Sequence, residues 1–235
     1  MIGISDEMMN FICKHECGFN FGVKFENVSG GEKFLKGYYG KSEVEQKHRT
    51  YGYGLLYHPN GKFMDAVKST YSSEELASLY KKKLAKTCEE IEKYLDANEL
   101  GLKQCQIDAI ISASYNHGTY GFLIKHKMRD LIKADPNNIG IKDVWIGLAQ
   151  YSNPKYRKGL ERRKRDEVEW YFGDISPANI NYDSSVKSDV FQSGYTNSNS
   201  EGGYSNGGSD IRLMSNNPER ARDGVVIGTH LRQRV

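Results

Sequence analysis

Ser72-Ser73-Glu74-Glu75 most constrains how this chain folds. It reads as a capping box, in which a serine side chain and a glutamate three residues on satisfy each other's backbone donors and open a helix. Leu76, Leu79, Tyr80, Leu84, Cys88, Ile91, Tyr94 and Leu95 follow as one apolar stripe, with Lys81, Lys82 and Lys83 placed opposite as a solvated face. A helix this long, amphipathic along its length, predicts a strut joining two lobes. Downstream, Leu102 through Ile107, Ile110 and Ile111 to Ala113 is apolar around most of its circumference, which predicts a buried central helix. Further helices are expected over about 123–134 and 141–151, and a last one follows Lys158-Gly159-Leu160.

Upstream of the strut the texture is different. Arg49-Thr50-Tyr51-Gly52-Tyr53-Gly54-Leu55-Leu56-Tyr57 and Lys62-Phe63-Met64-Asp65 flank His58-Pro59-Asn60-Gly61, a turn sequence that predicts a β-hairpin. Glycines at 52 and 54 weaken a strand unless something must approach its backbone closely. Ser29 to His48 reads as a polar insertion. The expected class is α+β, mostly α: a small β-hairpin lobe and a helical lobe joined by a long helix.

Of 235 residues, those up to Gly173 hold 27 Lys and Arg against 23 Asp and Glu, a mild excess that is no signature of nucleic-acid binding. Residues 174–210 are rich in Ser, Asn and Gly, which predicts a disordered, low-complexity linker; 211–235 regain some apolar residues but are too few for a domain. The globular domain is therefore expected over 1–173. Four scattered cysteines do not form a disulfide framework and fit a reducing cytoplasm. No signal peptide and no apolar run of membrane-spanning length is visible, so no membrane insertion is expected. Cys13-x-His15-x-Cys17 would place its cysteines and histidine on opposite sides of a helix, so no metal is expected; no cofactor is expected either.

The first helix carries the chemistry. Ser5 suits its N-cap, Asp6 and Glu7 its first turn, and Gly18 its left-handed close. Glu16 then lies in the last turn, where the helix carbonyls disfavour its charged form. A carboxylic acid kept protonated is what a general acid needs.

Four stretches in order resemble the phage-type lysozymes, glycoside hydrolase family 24: Glu16-Cys17-Gly18, Arg49-Thr50-Tyr51-Gly52-Tyr53-Gly54, Tyr115-Asn116-His117-Gly118-Thr119, and Gly159-Leu160-Glu161-Arg162-Arg163 with Glu167 beyond. The resemblance covers about 1–173. It implies a cleft between two lobes and cleavage of the β-1,4 bond between N-acetylmuramic acid and N-acetylglucosamine, with peptidoglycan strands as partner. Under that scheme Glu16 protonates the leaving oxygen, Thr50 positions water, and Tyr53, Gly54, Leu55 and Asn116 line the cleft. Tyr51, Tyr53 and Tyr57 would offer ring faces to sugars. The family has an Asp nine positions after its Glu and about six before its Thr; here that position is Phe25. Glu26 is the nearest candidate for the second carboxylate, with Glu32, Glu43 and Glu45 as rivals.

The resemblance also implies synthesis in a host cytoplasm and action on the bacterial wall, by a holin-type release or from a virion or tail assembly that the tail sequence would join. The competing reading is a catalytically degenerate module that binds peptidoglycan or serves structurally. A zinc amidase built on His117 and His126 lacks a ligand motif. Arg162 and Arg163 are expected to pair with acidic neighbours such as Glu167.

Overall fold

The computed structural model describes residues 2–40, 42–151 and 154–173. The linker and terminal segment expected over 174–235 lie outside the described residues. No helix among the described residues is long and apolar enough to cross a membrane.

Helix α1 (Asp6–Cys17) begins and ends as its sequence predicts. The Ser5 hydroxyl accepts from Met8 N at 3.1 Å, and Gly18, at φ 82°, returns its N–H to Lys14 O at 3.0 Å. Met8, Phe11, Ile12 and Cys13 form its buried face. Ser5 also donates to Asp108 through both its hydroxyl (2.6 Å) and its N–H (2.9 Å), pinning the start of α1 to the helical lobe.

The small lobe departs from the expected hairpin. A 3-10 turn (Phe25–Asn27) and α2 (Glu32–Lys36) lead into β1 (Tyr38–Tyr39), which pairs antiparallel with β2 (Arg49–Thr50), Tyr38 opposite Thr50 and Tyr39 opposite Arg49. The stretch read as a polar insertion thus supplies the first strand. The Pro-Asn-Gly turn is flanked only by an isolated bridge, Tyr57 to Phe63, before α3 (Met64–Val67). The reason is steric. Gly52 and Gly54 adopt φ 47° and 78°, folding the chain into a tight loop closed by Tyr51 and Leu55, so no continuous strand can run through them.

The strut is α4 (Ser73–Leu95), 23 residues, opened by the expected Ser72–Glu75 box. At about 1.5 Å per residue it spans about 34 Å. Helix α5 (Gln104–His117) is buried continuously from Gln106 to Tyr115, as its composition predicts. The helix expected over 123–134 is instead two pieces: a π-helical turn (Tyr120–Lys125), then α6 (Met128–Ala134) after Lys127 takes the left-handed conformation at φ 58°. The wide turn allows Phe122 and Leu123 to be buried together. Helix α7 (Gly140–Gly147) continues as a 3-10 turn (Leu148–Tyr151), and α8 (Pro154–Phe172) closes the lobe against α5.

A file of aromatic rings joins the lobes. Phe34 meets Phe25 (5.0 Å between centroids), Phe25 meets Tyr53 (5.2 Å), Tyr53 meets Tyr80 of α4 (4.9 Å), and Tyr80 meets Tyr115 of α5 (5.7 Å). Such contacts add to simple area burial and hold the lobes in register. Tyr51 and Tyr53 are wholly buried, so their rings serve the core and do not offer faces to a sugar; only Tyr57 of that trio is partly exposed.

Candidate active site

Glu16 sits where the lobes meet. Its side chain is 20% exposed, and its Oε1 accepts from Arg163 Nη1 of α8 at 2.9 Å. Its other oxygen, Oε2, lies against Gly54, where any Cβ would overlap the carboxylate. The glycine, also held at positive φ, therefore leaves room for that oxygen. The Tyr115 hydroxyl donates to Tyr53 O at 2.6 Å, fixing the backbone one residue before Gly54. Asn116 is half-buried at the end of α5, and Leu55 is buried beneath the loop.

Behind Glu16 lies a buried charged clamp. Arg163 Nε donates to Glu167 Oε1 at 3.1 Å, Lys164 Nζ to Oε2 at 2.8 Å, Ser112 Oγ to Oε1 at 2.7 Å, and Trp145 Nε1 to Oε2 at 3.1 Å. Glu167 is completely buried. Burial works to raise its pKa, but the two cations and these donors prevail and hold it down at about 2. Burial works against the Arg163 charge in turn, and Glu16 with Glu167 more than restores it. The expected pairing of Arg163 with Glu167 is present at four-residue helical spacing. That the same guanidinium reaches Glu16 was not legible, because the two lie 147 positions apart.

Across the junction, Thr50 is buried at the end of β2 and its hydroxyl lies 3.5 Å from Glu45 Oε1. This is long for a hydroxyl–carboxylate bond. Glu45 is held from its own loop by a reciprocal box: Ser42 Oγ donates to its Oε2 at 2.7 Å, Ser42 N to the same oxygen at 3.2 Å, and Glu45 N to Ser42 Oγ at 3.2 Å. Gly40 lies against this carboxylate too, with no room for a Cβ. Tyr38, opposite Thr50, feels both sides of the site: burial raises its phenol, and the charges of Glu16 and Glu45 raise it further.

The other carboxylates are engaged elsewhere. Glu26 is exposed and accepts from Ser73 Oγ at 2.6 Å and Ser73 N at 3.1 Å; the Ser73 hydroxyl bond is the chief reason its pKa is lowered. It secures the start of α4. Glu32 pairs with Lys36, and Glu43 with Lys47, each on its own exposed segment. Cys13 and Cys17 share the buried face of α1, and burial raises both thiols.

A glycine loop following a two-stranded hairpin, a half-buried glutamate at a helix end and an arginine on the closing helix form one arrangement. A family model described as phage lysozyme matches residues 35–167. The chain belongs to the phage lysozyme family. No curated protein matches it in sequence. Membership places this phage lysozyme chain among peptidoglycan hydrolases in general. The match begins at Leu35 and so leaves out α1, which means Glu16 is singled out by its contacts with Gly54 and Arg163.

Glu45 stands among the rivals the sequence offers, but two features around it and Glu16 are not legible there, for different reasons. Ser42-x-x-Glu45 carries the same box spacing as Ser72-x-x-Glu75 but precedes no apolar stripe, so it did not read as an ordered turn. Lys83, assigned to a solvated face, is half-buried with Nζ 3.7 Å from the centre of the Tyr115 ring. Apolar spacing along a helix does not report a lysine on its inner side.

Proposed function

We propose that this chain is an N-acetylmuramidase that cleaves the β-1,4 bond between N-acetylmuramic acid and N-acetylglucosamine, with Glu16 as general acid and Glu45 as its partner carboxylate. What carries the reading is the asymmetry of Glu16: Arg163 occupies Oε1, while Oε2 lies against Gly54 and accepts no hydrogen bond among the described residues. In this reading Oε2 bears the proton and passes it to the glycosidic oxygen as the bond breaks. Positive charge then develops on the sugar ring, and a carboxylate on the opposite side stabilises it or activates water. Glu45 suits that part, since Thr50 lies beside it to hold the water. It also stands five positions before Thr50, close to the interval the family uses. Glu26, the nearer candidate by spacing from Glu16, has both oxygens on Ser73.

The test is release of reducing ends from purified peptidoglycan, with mass spectrometry to show that muramic acid is the new reducing sugar. Glu16→Gln is expected to lower the rate by about a thousandfold, within the range for loss of a general acid. Glu45→Gln and Thr50→Ala should follow with large losses, whereas Glu26→Gln should keep most activity. Full activity in Glu45→Gln with loss in Glu26→Gln would return the role to Glu26. No release by the unmutated chain would favour a module that only binds the wall.

A further inference from the structure

Lys83 belongs to the strut α4, yet its ammonium is turned inward over Tyr115, the residue whose hydroxyl ties α5 to the glycine loop. That puts a cation at the lobe junction. Tyr115 fills the space beneath it, and Glu16 and Arg163 both act on it electrostatically. Burial lowers the Lys83 ammonium to about 8, with Glu16 working to raise it and Arg163 to lower it. Among the described residues it has no hydrogen bond or ion pair, only the aromatic face. A desolvated ammonium is costly without an anion, and a ring face offsets only part of that cost.

The charges around it are unbalanced. Arg163 and Lys164 are matched by Glu16 and Glu167 through direct bonds, which leaves the Lys83 charge over. Once Glu16 carries a proton for catalysis, the positive excess grows. A complementary substrate brings a negative group to this point. Of the two sugars in peptidoglycan, only the muramoyl unit offers one: its lactyl arm ends in a carboxyl group, which is a carboxylate when free or is amide-linked to a peptide that bears carboxylates of its own. Chitin-like glycans offer none.

We propose that Lys83 is a specificity-determining residue whose ammonium takes a carboxylate carried by the muramoyl unit, separating peptidoglycan from uncharged glycans. This rests on the muramidase reading, so the experiment measures binding apart from turnover. Glu16→Gln and the Glu16→Gln/Lys83→Met double variant are co-sedimented with four matrices: native peptidoglycan, carbodiimide-amidated peptidoglycan, amidase-stripped glycan and chitin. Lys83→Met should weaken binding to native peptidoglycan about tenfold, the scale of one charge-assisted hydrogen bond, and leave amidated peptidoglycan and chitin unchanged. Lys83→Arg should restore native binding. The Lys83-dependent part should fade as pH rises, and no later than about 8, because Glu16→Gln removes a charge that raises the ammonium. Dependence lost on the stripped glycan marks the peptide's carboxylates as the ligand; dependence kept there shows that the freed lactyl carboxylate is taken as well. Equal weakening on all four matrices, or none on the native one, overturns the proposal. Failure of the unmutated chain to release reducing ends would instead sink the muramidase reading and leave this comparison readable.

Discussion

Glu16 and Glu45 face the same junction but are held in opposite ways. Glu16 ends a helix packed into the core, and its partner Arg163 is anchored by a buried glutamate with four donors. Glu45 rides a polar loop and is held by a serine three residues away and a long contact to Thr50. One acid is fixed by tertiary structure, the other by local hydrogen bonds. The difference teaches where precision is built into this junction: the acid proposed as proton donor is set in a frame of buried charges, and the opposite wall is held only by its own loop.

The largest effect should come from breaking that frame. Glu167→Ala leaves Lys164 buried without an anion and Arg163 with Glu16 alone, and loss of one partner from such a set costs about 3–5 kcal/mol. Urea unfolding followed by fluorescence of Trp145 and Trp170 should show it, and a loss under about 1 kcal/mol, within the usual surface range, would mean that the clamp does not hold α8.

A second, graded effect is expected in acid. Burial, with Arg163 acting on His15 and Lys164 on His117, lowers both histidines to about 3 from the ordinary 6.5. Because their folded values are depressed, the neutral rings contribute stability fully above about 6.5, and this is lost as pH falls toward 3. The midpoint of thermal unfolding should therefore drop steadily between pH 6.5 and 4. A flat profile would show that the helical lobe tolerates charge beside Glu16.

The smallest effect is expected on the loop side. Ser42→Ala removes the box around Glu45 without opening the core, so stability should change by less than about 0.5 kcal/mol. The rate on peptidoglycan should fall severalfold at the same time. Equal activity in this variant would mean that Glu45 needs no help from its loop, and the contrast between the two acids would weaken.

Much of the frame could be read from residue order. The α1 caps, the Ser72–Glu75 box and the buried run of α5 were legible because each depends on neighbours within a few positions. The hairpin lies elsewhere than residue order predicts for the converse reason. Two tyrosines inside a polar stretch pair with Arg49 and Thr50 only once the glycine loop has turned the chain, and periodicity does not report that. Likewise the rings of Tyr51 and Tyr53 looked like sugar platforms by type, yet they fill the space between Phe25, Tyr71 and Tyr80.

The sequence by itself determined that an acid would close the first helix, that a threonine would precede a glycine-rich loop, and that a long strut would separate two lobes. Each follows from short-range hydrogen bonding and from apolar spacing along one segment. Only the tertiary structure decided which carboxylate stands by that threonine, which arginine grips the acid, and that Lys83 turns inward. Those choices depend on charges that meet across long stretches of chain, where burial and distance set the energy and neighbouring residues in sequence say nothing about either.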